Sequence, residues 1–381
     1  MRSRTVRAVL SAAVGMALCS SLLAAGSLEI EWGEPFEIGH GAYGRVHRLS
    51  DSRYMAAYES GGNLVVKFSA AGDIRRWSPA MVVARRFIAT NGTERVNVSL
   101  TNAEFAQLAN GRIILACNLR PSGWRHDVHP CAIGMATSDD AGRTWSSLKV
   151  IHAPKLAMAA DGRPHGCYEP FVLPGKGMKA QMFYADETPY EKESKCAWQE
   201  ISYIETPDGG ETWSKPQRAA YTPRRRDGMP VVLNAGRWRY LAIEANPGKT
   251  WLHPQLVRCS ASEGDWGKAK RFEPLERHID WTKTGGGAPY IAATENYILL
   301  SWQQSGRPRD MKTFSARVTA VPKKKIKADG TFESDVAGFR PPCESGSMLW
   351  NSLCPLKGDA FILVSQVKGR IVAFPGNIKE K

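Results

Sequence analysis

One eight-residue pattern occurs twice in this chain, as Ser138-Asp139-Asp140-Ala141-Gly142-Arg143-Thr144-Trp145 and as Thr206-Pro207-Asp208-Gly209-Gly210-Glu211-Thr212-Trp213. Written S/T-x-D-x-G-x-T-W, it describes a turn with its own chemistry. The Asp two residues before the Gly is placed to accept hydrogen bonds from the turn backbone, the Gly supplies a positive φ, and the Trp packs beneath the hairpin. These side chains are used up in the turn, so the pattern constrains architecture rather than catalysis. Its recurrence points to small antiparallel sheets repeated about an axis, with a pocket at one end of that axis.

A second, longer repeat supports this reading. Two apolar strands joined by a polar turn recur at a spacing of roughly 60 residues, within the range of propeller repeats. The six copies are Arg45–Leu49 with Tyr54–Tyr58, Ala103–Leu108 with Ile113–Asn118, Tyr168–Leu173 with Ala180–Ala185, Met229–Leu233 with Trp238–Glu244, Ala288–Ala292 with Tyr297–Gln303, and Leu349–Pro355 with Ala360–Gln366. Between them lie second hairpins, degenerate at Ser69–Trp77 and Ser260–Trp266. The expected fold is therefore all-β, a six-bladed propeller of four antiparallel strands per blade spanning residues 27–381. The sixth unit runs short after Arg370–Phe374, and Leu28–Ile38 is expected to supply its outer strand and close the ring.

Residues 1–26 read as a signal peptide: Arg2, Arg4 and Arg7 precede the apolar run Val9–Leu23 and the small residues Ala24-Ala25-Gly26. A secreted or periplasmic protein with no membrane span is expected. Its removal takes the formal charge from +14 to +11, which favours acidic partners in general. The densest basic run, Lys323-Lys324-Lys325-Ile326-Lys327, adjoins the turn Ala328-Asp329-Gly330 and reads as a solvated hairpin, so no nucleic-acid partner is expected. Seven cysteines remain after Cys19 leaves, and the hairpin pairs Cys117 with Cys131 and Cys343 with Cys354 are candidate disulfides. No His/Cys spacing suggests zinc; neither metal nor cofactor is expected. A monomer is the expected state.

In a propeller the inner strand of each blade starts on the face where the second strand ends, opposite the octapeptide turns. This filter selects Arg45, Glu59, Glu104, Arg120, Glu169, Asp186, Glu187, Asp227, Glu244, Gln303 and Gln366. Glu169 begins the third inner strand and Glu244 closes the apolar run Tyr240–Ile243, where a carboxylate leaving water needs a reason. Neighbouring blades put them on one rim. A glycosidase needs such a pair, one carboxylic acid to protonate the leaving oxygen and one carboxylate to attack or to activate water.

The order of short strings here resembles a known family. Ala103-Glu104-Phe105, Cys167-Tyr168-Glu169-Pro170, Arg226-Asp227-Gly228-Met229-Pro230, Ala242-Ile243-Glu244, Gly286-Gly287-Ala288-Pro289-Tyr290 and Leu300-Ser301-Trp302-Gln303 look like the exo-arabinanases of glycoside hydrolase family 93, within the sialidase-like superfamily whose repeated turn is called the Asp-box. The resemblance implies a six-bladed propeller and a retaining exo-hydrolase of α-1,5-linked L-arabinofuranose, with Glu169 and Glu244 as the catalytic pair. The apolar approach to Glu244 favours it as acid/base and Glu169 as nucleophile. Arg45, Glu104, Tyr168, Asp227, Tyr290, Trp302 and Gln303 form the expected substrate-binding set. Two other readings stay open: an exo-sialidase, or other acidic-sugar hydrolase, clamping a carboxylate with Arg45, Arg226 and Arg258, and a non-catalytic sugar-binding propeller. Tyr43, Trp124, Tyr190, Trp251, Trp302 and Trp350 are candidates to stack on sugar faces in any of them.

Overall fold

The computed structural model describes residues 28–154, 165–190, 198–246, 251–262, 264–308, 310–343 and 347–380, apart from the side chains of Trp124 and Met311. The expected leader and Cys196 lie outside these residues. Among them no helix is long and apolar enough to cross a membrane.

The strands form six antiparallel sheets. Their inner strands are Ala42–Arg48, Glu94–Gln107, Cys167–Pro174, Asp227–Ala235, Gly285–Ala293 and Met348–Pro355. Each packs against the next and the sixth against the first, which makes the closed six-bladed propeller expected from the repeat. Burial follows position in the blade. The second strand Ile113–Pro121 is buried along almost its whole length, whereas the outer strand Lys149–His152 is exposed or half-buried. The near-continuous apolar runs therefore belong to strands covered on both faces.

The expected four strands per blade hold only in part. Blades three and four have four; blade five has three, with an irregular stretch beside it that touches the sheet where Val318 and Phe339 exchange backbone hydrogen bonds. Phe332 from that stretch is buried against Tyr240 and Phe272 of blade four, so the stretch bridges the two blades. Blades one, two and six each gain a fifth strand. In blade six the gain comes from the N-terminus: Leu28–Trp32 pairs with the last strand from Leu28↔Glu380 to Trp32↔Gly376, and Phe36–His40 continues along it. A chain truncated to start at Ala42 would leave Ile371, Ala373 and Phe374, all buried in the ring, on an open strand edge. That chain is expected to elute as aggregate in size-exclusion chromatography; a monodisperse, cooperatively melting product would contradict the closure.

Both octapeptides adopt one turn. Asp140 accepts from the Thr144 amide at 2.8 Å and its hydroxyl at 2.6 Å, and Asp208 does the same for Thr212 at 2.9 and 2.6 Å. Gly142 and Gly210 sit at φ 85° and 96°. These bonds hold both carboxyls down at about 2, below the usual carboxylate range. Arg112 joins the two turns, pairing with Asp139 and Glu211 at 2.9 Å each. The basic run near residue 325 is locally neutralised, with Lys325 on Asp335 at 2.6 Å and Lys327 on Glu333 at 2.8 Å. Neither expected disulfide is formed, because Cys117, Cys131 and Cys354 are free thiols. Cys117 faces Gly134 across its hairpin, three residues away from Cys131.

Candidate functional site

All six inner strands carry the same irregularity, near the start in five of them and mid-strand, at Asn102, in Glu94–Gln107. Two residues oppose one on the second strand, and the first of the two has a left-handed backbone: Tyr43, Asn102, Glu169, Met229, Ala288 and Trp350, with φ between 45° and 58°. None is glycine, so each stores some backbone strain. Such bulges re-aim side chains at barrel rims and beside active sites. Here they form a ring at the mouth of the axis, where Tyr43, Met229, Ala288 and Trp350 pack together.

The bulges are latched from blade to blade. On the second strand, the residue paired with the one just before each bulge is Glu59, Asn118, Ala185, Glu244, Gln303 or Gln366 in blades one to six. Asn118 accepts the amide N–H of Glu169 at 2.7 Å, Glu244 that of Ala288 at 2.8 Å, and Gln303 that of Trp350 at 3.1 Å. Blade three has only Ala185 at this place, and Glu169 itself accepts the N–H of Met229 at 2.8 Å. Each glutamate therefore has one carboxylate oxygen fixed by a backbone donor of the following blade.

Glu169 faces a cavity of about 420 Å³ whose wall also includes Tyr43, Glu59, Asn102, Arg120 and Trp350. That size suits a small sugar. Glu244 is not part of that wall; its side chain is 8% exposed and its Oε1 lies 4.0 Å from Arg226 Nε. Burial raises the Glu244 carboxyl above its ordinary range, Arg226 pulls it down, and the charge of Glu169 raises it again. A third acid, Glu187, accepts from the Tyr168 hydroxyl at 3.1 Å and the Gly166 amide at 3.3 Å, and burial pushes it up to about 7. Arg226 is thus the common cation of Glu169, Glu187 and Glu244. A wider concavity of about 880 Å³, over Thr206, Trp213 and Arg239, lies on the octapeptide face and holds none of these acids.

Close packing sets what can occupy these positions. A Cβ at Gly287 would lie 2.4 Å from Glu244 Oε2, so glycine there makes room for the carboxylate. Gly287→Ala is expected to push Glu244 off the Ala288 amide and leave a buried N–H unpaired, at about 1–3 kcal/mol; a circular-dichroism melt would check it.

The remaining expected substrate contacts have structural partners. Arg45 and Glu104, each 2% exposed, pair at 3.1 Å below the ring, where Glu104 also bonds His47 at 2.9 Å and Arg45 stacks on Tyr43 and Tyr290. Asp227 is fully buried in a two-point pair with Arg271 at 2.9 and 2.6 Å. Tyr168 is buried on Glu187, Tyr290 is buried beside Arg45, Trp302 lies in the core with its indole N–H on Gln304, and Gln303 is a latch. Of the aromatics, Tyr43 and Trp350 line the cavity, whereas Tyr190 stacks on Tyr221. The rim filter selects Glu59, Arg120 and Glu187 but passes over Asn102 and the latch Asn118.

Neither a family model nor a curated protein matches this sequence. Solved structures do share the fold. A protein of unknown function from Dyadobacter fermentans is 14% identical, covering 92% of this chain and 99% of its own, with a TM-score of 0.65. The alpha-L-arabinanase of Penicillium chrysogenum complexed with arabinobiose is 17% identical over 92% and 98%, TM-score 0.62. The NanB sialidase from Streptococcus pneumoniae is 11% identical over 90% and 69%, TM-score 0.53.

Proposed function

We propose that the protein is an exported, monomeric, retaining exo-glycosidase of the family 93 type, which removes α-1,5-linked L-arabinofuranosyl units from an oligo- or polysaccharide. The observation that carries this reading is the pair Glu169 and Glu244. Both are anchored through one oxygen to a backbone amide of the next blade, both share Arg226, and Glu169 opens to the cavity. The arabinobiose-bound fungal arabinanase among the structural neighbours favours arabinofuranose as the sugar. Against the sialidase reading, Arg45 is consumed by Glu104, and Arg258 stacks on Trp238 with Asp329 3.9 Å away. A carboxylate clamp needs those arginines converging and free.

In this mechanism Glu169 attacks the anomeric carbon while Glu244, protonated, gives its proton to the departing glycosidic oxygen. The C–O bond breaks and a glycosyl ester on Glu169 forms. Glu244, now a carboxylate, takes a proton from the water that attacks the same carbon, which frees arabinose and restores both groups. Burial suits Glu244 to the first step, and the Arg226 guanidinium suits it to the second. Because activity needs protonated Glu244, it falls on the alkaline side as that carboxyl ionises. Removing the cation in Arg226→Met raises the Glu244 pKa further, so the alkaline limb of kcat is expected to move to higher pH; a limb that stays put or moves down counts against the assignment.

The direct test is a hydrolysis screen of linear arabinan, an aryl α-L-arabinofuranoside and an aryl sialoside, with NMR of the first-formed anomer. Release of arabinose with its configuration kept is the expected result. Cleavage of the sialoside alone, or an inverted product, would overturn the reading.

A further inference from the structure

The fold brings together three side chains that no sequence spacing connects. His152 ends the outer strand Lys149–His152 of blade two, while Cys167 and Asp186 are directly paired residues on the first two strands of blade three. One ligand atom from each, a ring nitrogen, the thiol sulfur and a carboxylate oxygen, lies within 4.8 Å of the others. Cys167 Sγ is 3.6 Å from Asp186 Oδ1, which also accepts from the amide and hydroxyl of Thr188 at 3.0 and 2.6 Å.

Two polar atoms at this place are buried without a hydrogen-bond partner, His152 Nε2 and the Tyr184 hydroxyl. Tyr184 has no exposed surface, and its ring lies 4.9 Å from that of His152. Its hydroxyl is close enough to Asp186 and Cys167 to be affected by their charges. Orphaned buried polar atoms are uncommon in folded proteins, and an ion is one accepted reason for them.

We propose that His152, Cys167 and Asp186 bind one zinc ion between blades two and three. The donor set, one imidazole, one thiolate and one carboxylate, is the mixed nitrogen, sulfur and oxygen chemistry that zinc accepts, with a fourth position left for water or the Tyr184 hydroxyl. Charge balances: the Cys167 thiol gives up its proton to solvent on binding, and thiolate plus carboxylate neutralise the dication in a buried place. The ion ties the start of the inner strand that presents Glu169 to the neighbouring blade. It takes no part in the proposed hydrolysis, and its test is independent of that function.

The full chain, stripped with a chelator and then dialysed against zinc, is expected to hold one zinc per chain by elemental analysis and to melt at a higher temperature than the stripped form. Cobalt loading should give thiolate-to-cobalt charge-transfer absorption. His152→Gln and Cys167→Ser should each lose the stoichiometric metal and the zinc-dependent rise in melting temperature, while Cys354→Ser, a buried thiol elsewhere, should keep both. The cobalt spectrum needs no variant, so a misfolded mutant leaves the test intact. Cobalt bound without a thiolate band, no zinc retained by the unmutated chain, or retention unchanged in His152→Gln would each overturn the site.

Discussion

Glu244→Gln is expected to lower kcat on arabinan roughly 10²–10⁴-fold, the range over which a positioned general acid acts. On an aryl arabinofuranoside whose leaving group needs no proton, most of that loss should disappear from the first step. Glu169→Gln should lose at least as much on both substrates, because no leaving group compensates for a missing nucleophile. The amide replacements are the informative ones here. A Gln Oε1 still accepts the Ala288 or Met229 amide at the positions now 2.8 Å away, so the blade contacts survive. Alanine would instead leave a buried N–H unpaired, at about 1–3 kcal/mol, and would mix a folding defect with a chemical one. Near wild-type turnover in both Gln variants would end the hydrolase reading, and rescue of Glu169→Gln but not Glu244→Gln would reverse the roles.

Arg45→Met is expected to destabilise the fold by about 3–5 kcal/mol, read from the denaturant midpoint, because it removes the buried cation from Glu104 and leaves that carboxylate only His47 and the Phe105 amide. Both side chains are 2% exposed, and their partners extend from the Trp350 carbonyl to His47. The double variant Arg45→Met with Glu104→Gln should recover part of the loss, since replacing both members of a buried pair is far milder than removing one.

The sequence revealed the ring more fully than the site. Six strand pairs at a regular spacing and a short last unit were enough to foresee the closure by Leu28–Trp32, because strand periodicity and a missing strand are local signals. The positions of Glu169 and Glu244 were legible for a related reason: each carboxylate stands near one end of a buried strand. What could not be read is whether a rim charge meets solvent or a partner. Arg45 finds Glu104 59 residues away, and Asp227 finds Arg271 44 residues away. Those pairings exist only once blades are stacked. The same holds for His152, Cys167 and Asp186, whose spacing matches no metal motif. Blade five carries three strands where the repeat implies four, because an irregular stretch tied to it at Val318 and Phe339 stands beside the sheet without changing the periodicity of its strands.

The six left-handed residues of the inner strands bear on how such a protein changes its work. Each backbone kink is fixed by ladder hydrogen bonds on either side, so the residue within it is a socket, the same in shape whether it holds Glu169, Met229, Ala288 or Trp350. Chemistry is thereby uncoupled from scaffold. Exchanging the occupant of one socket alters what a bound molecule meets at the axis while leaving the blade that carries it in register.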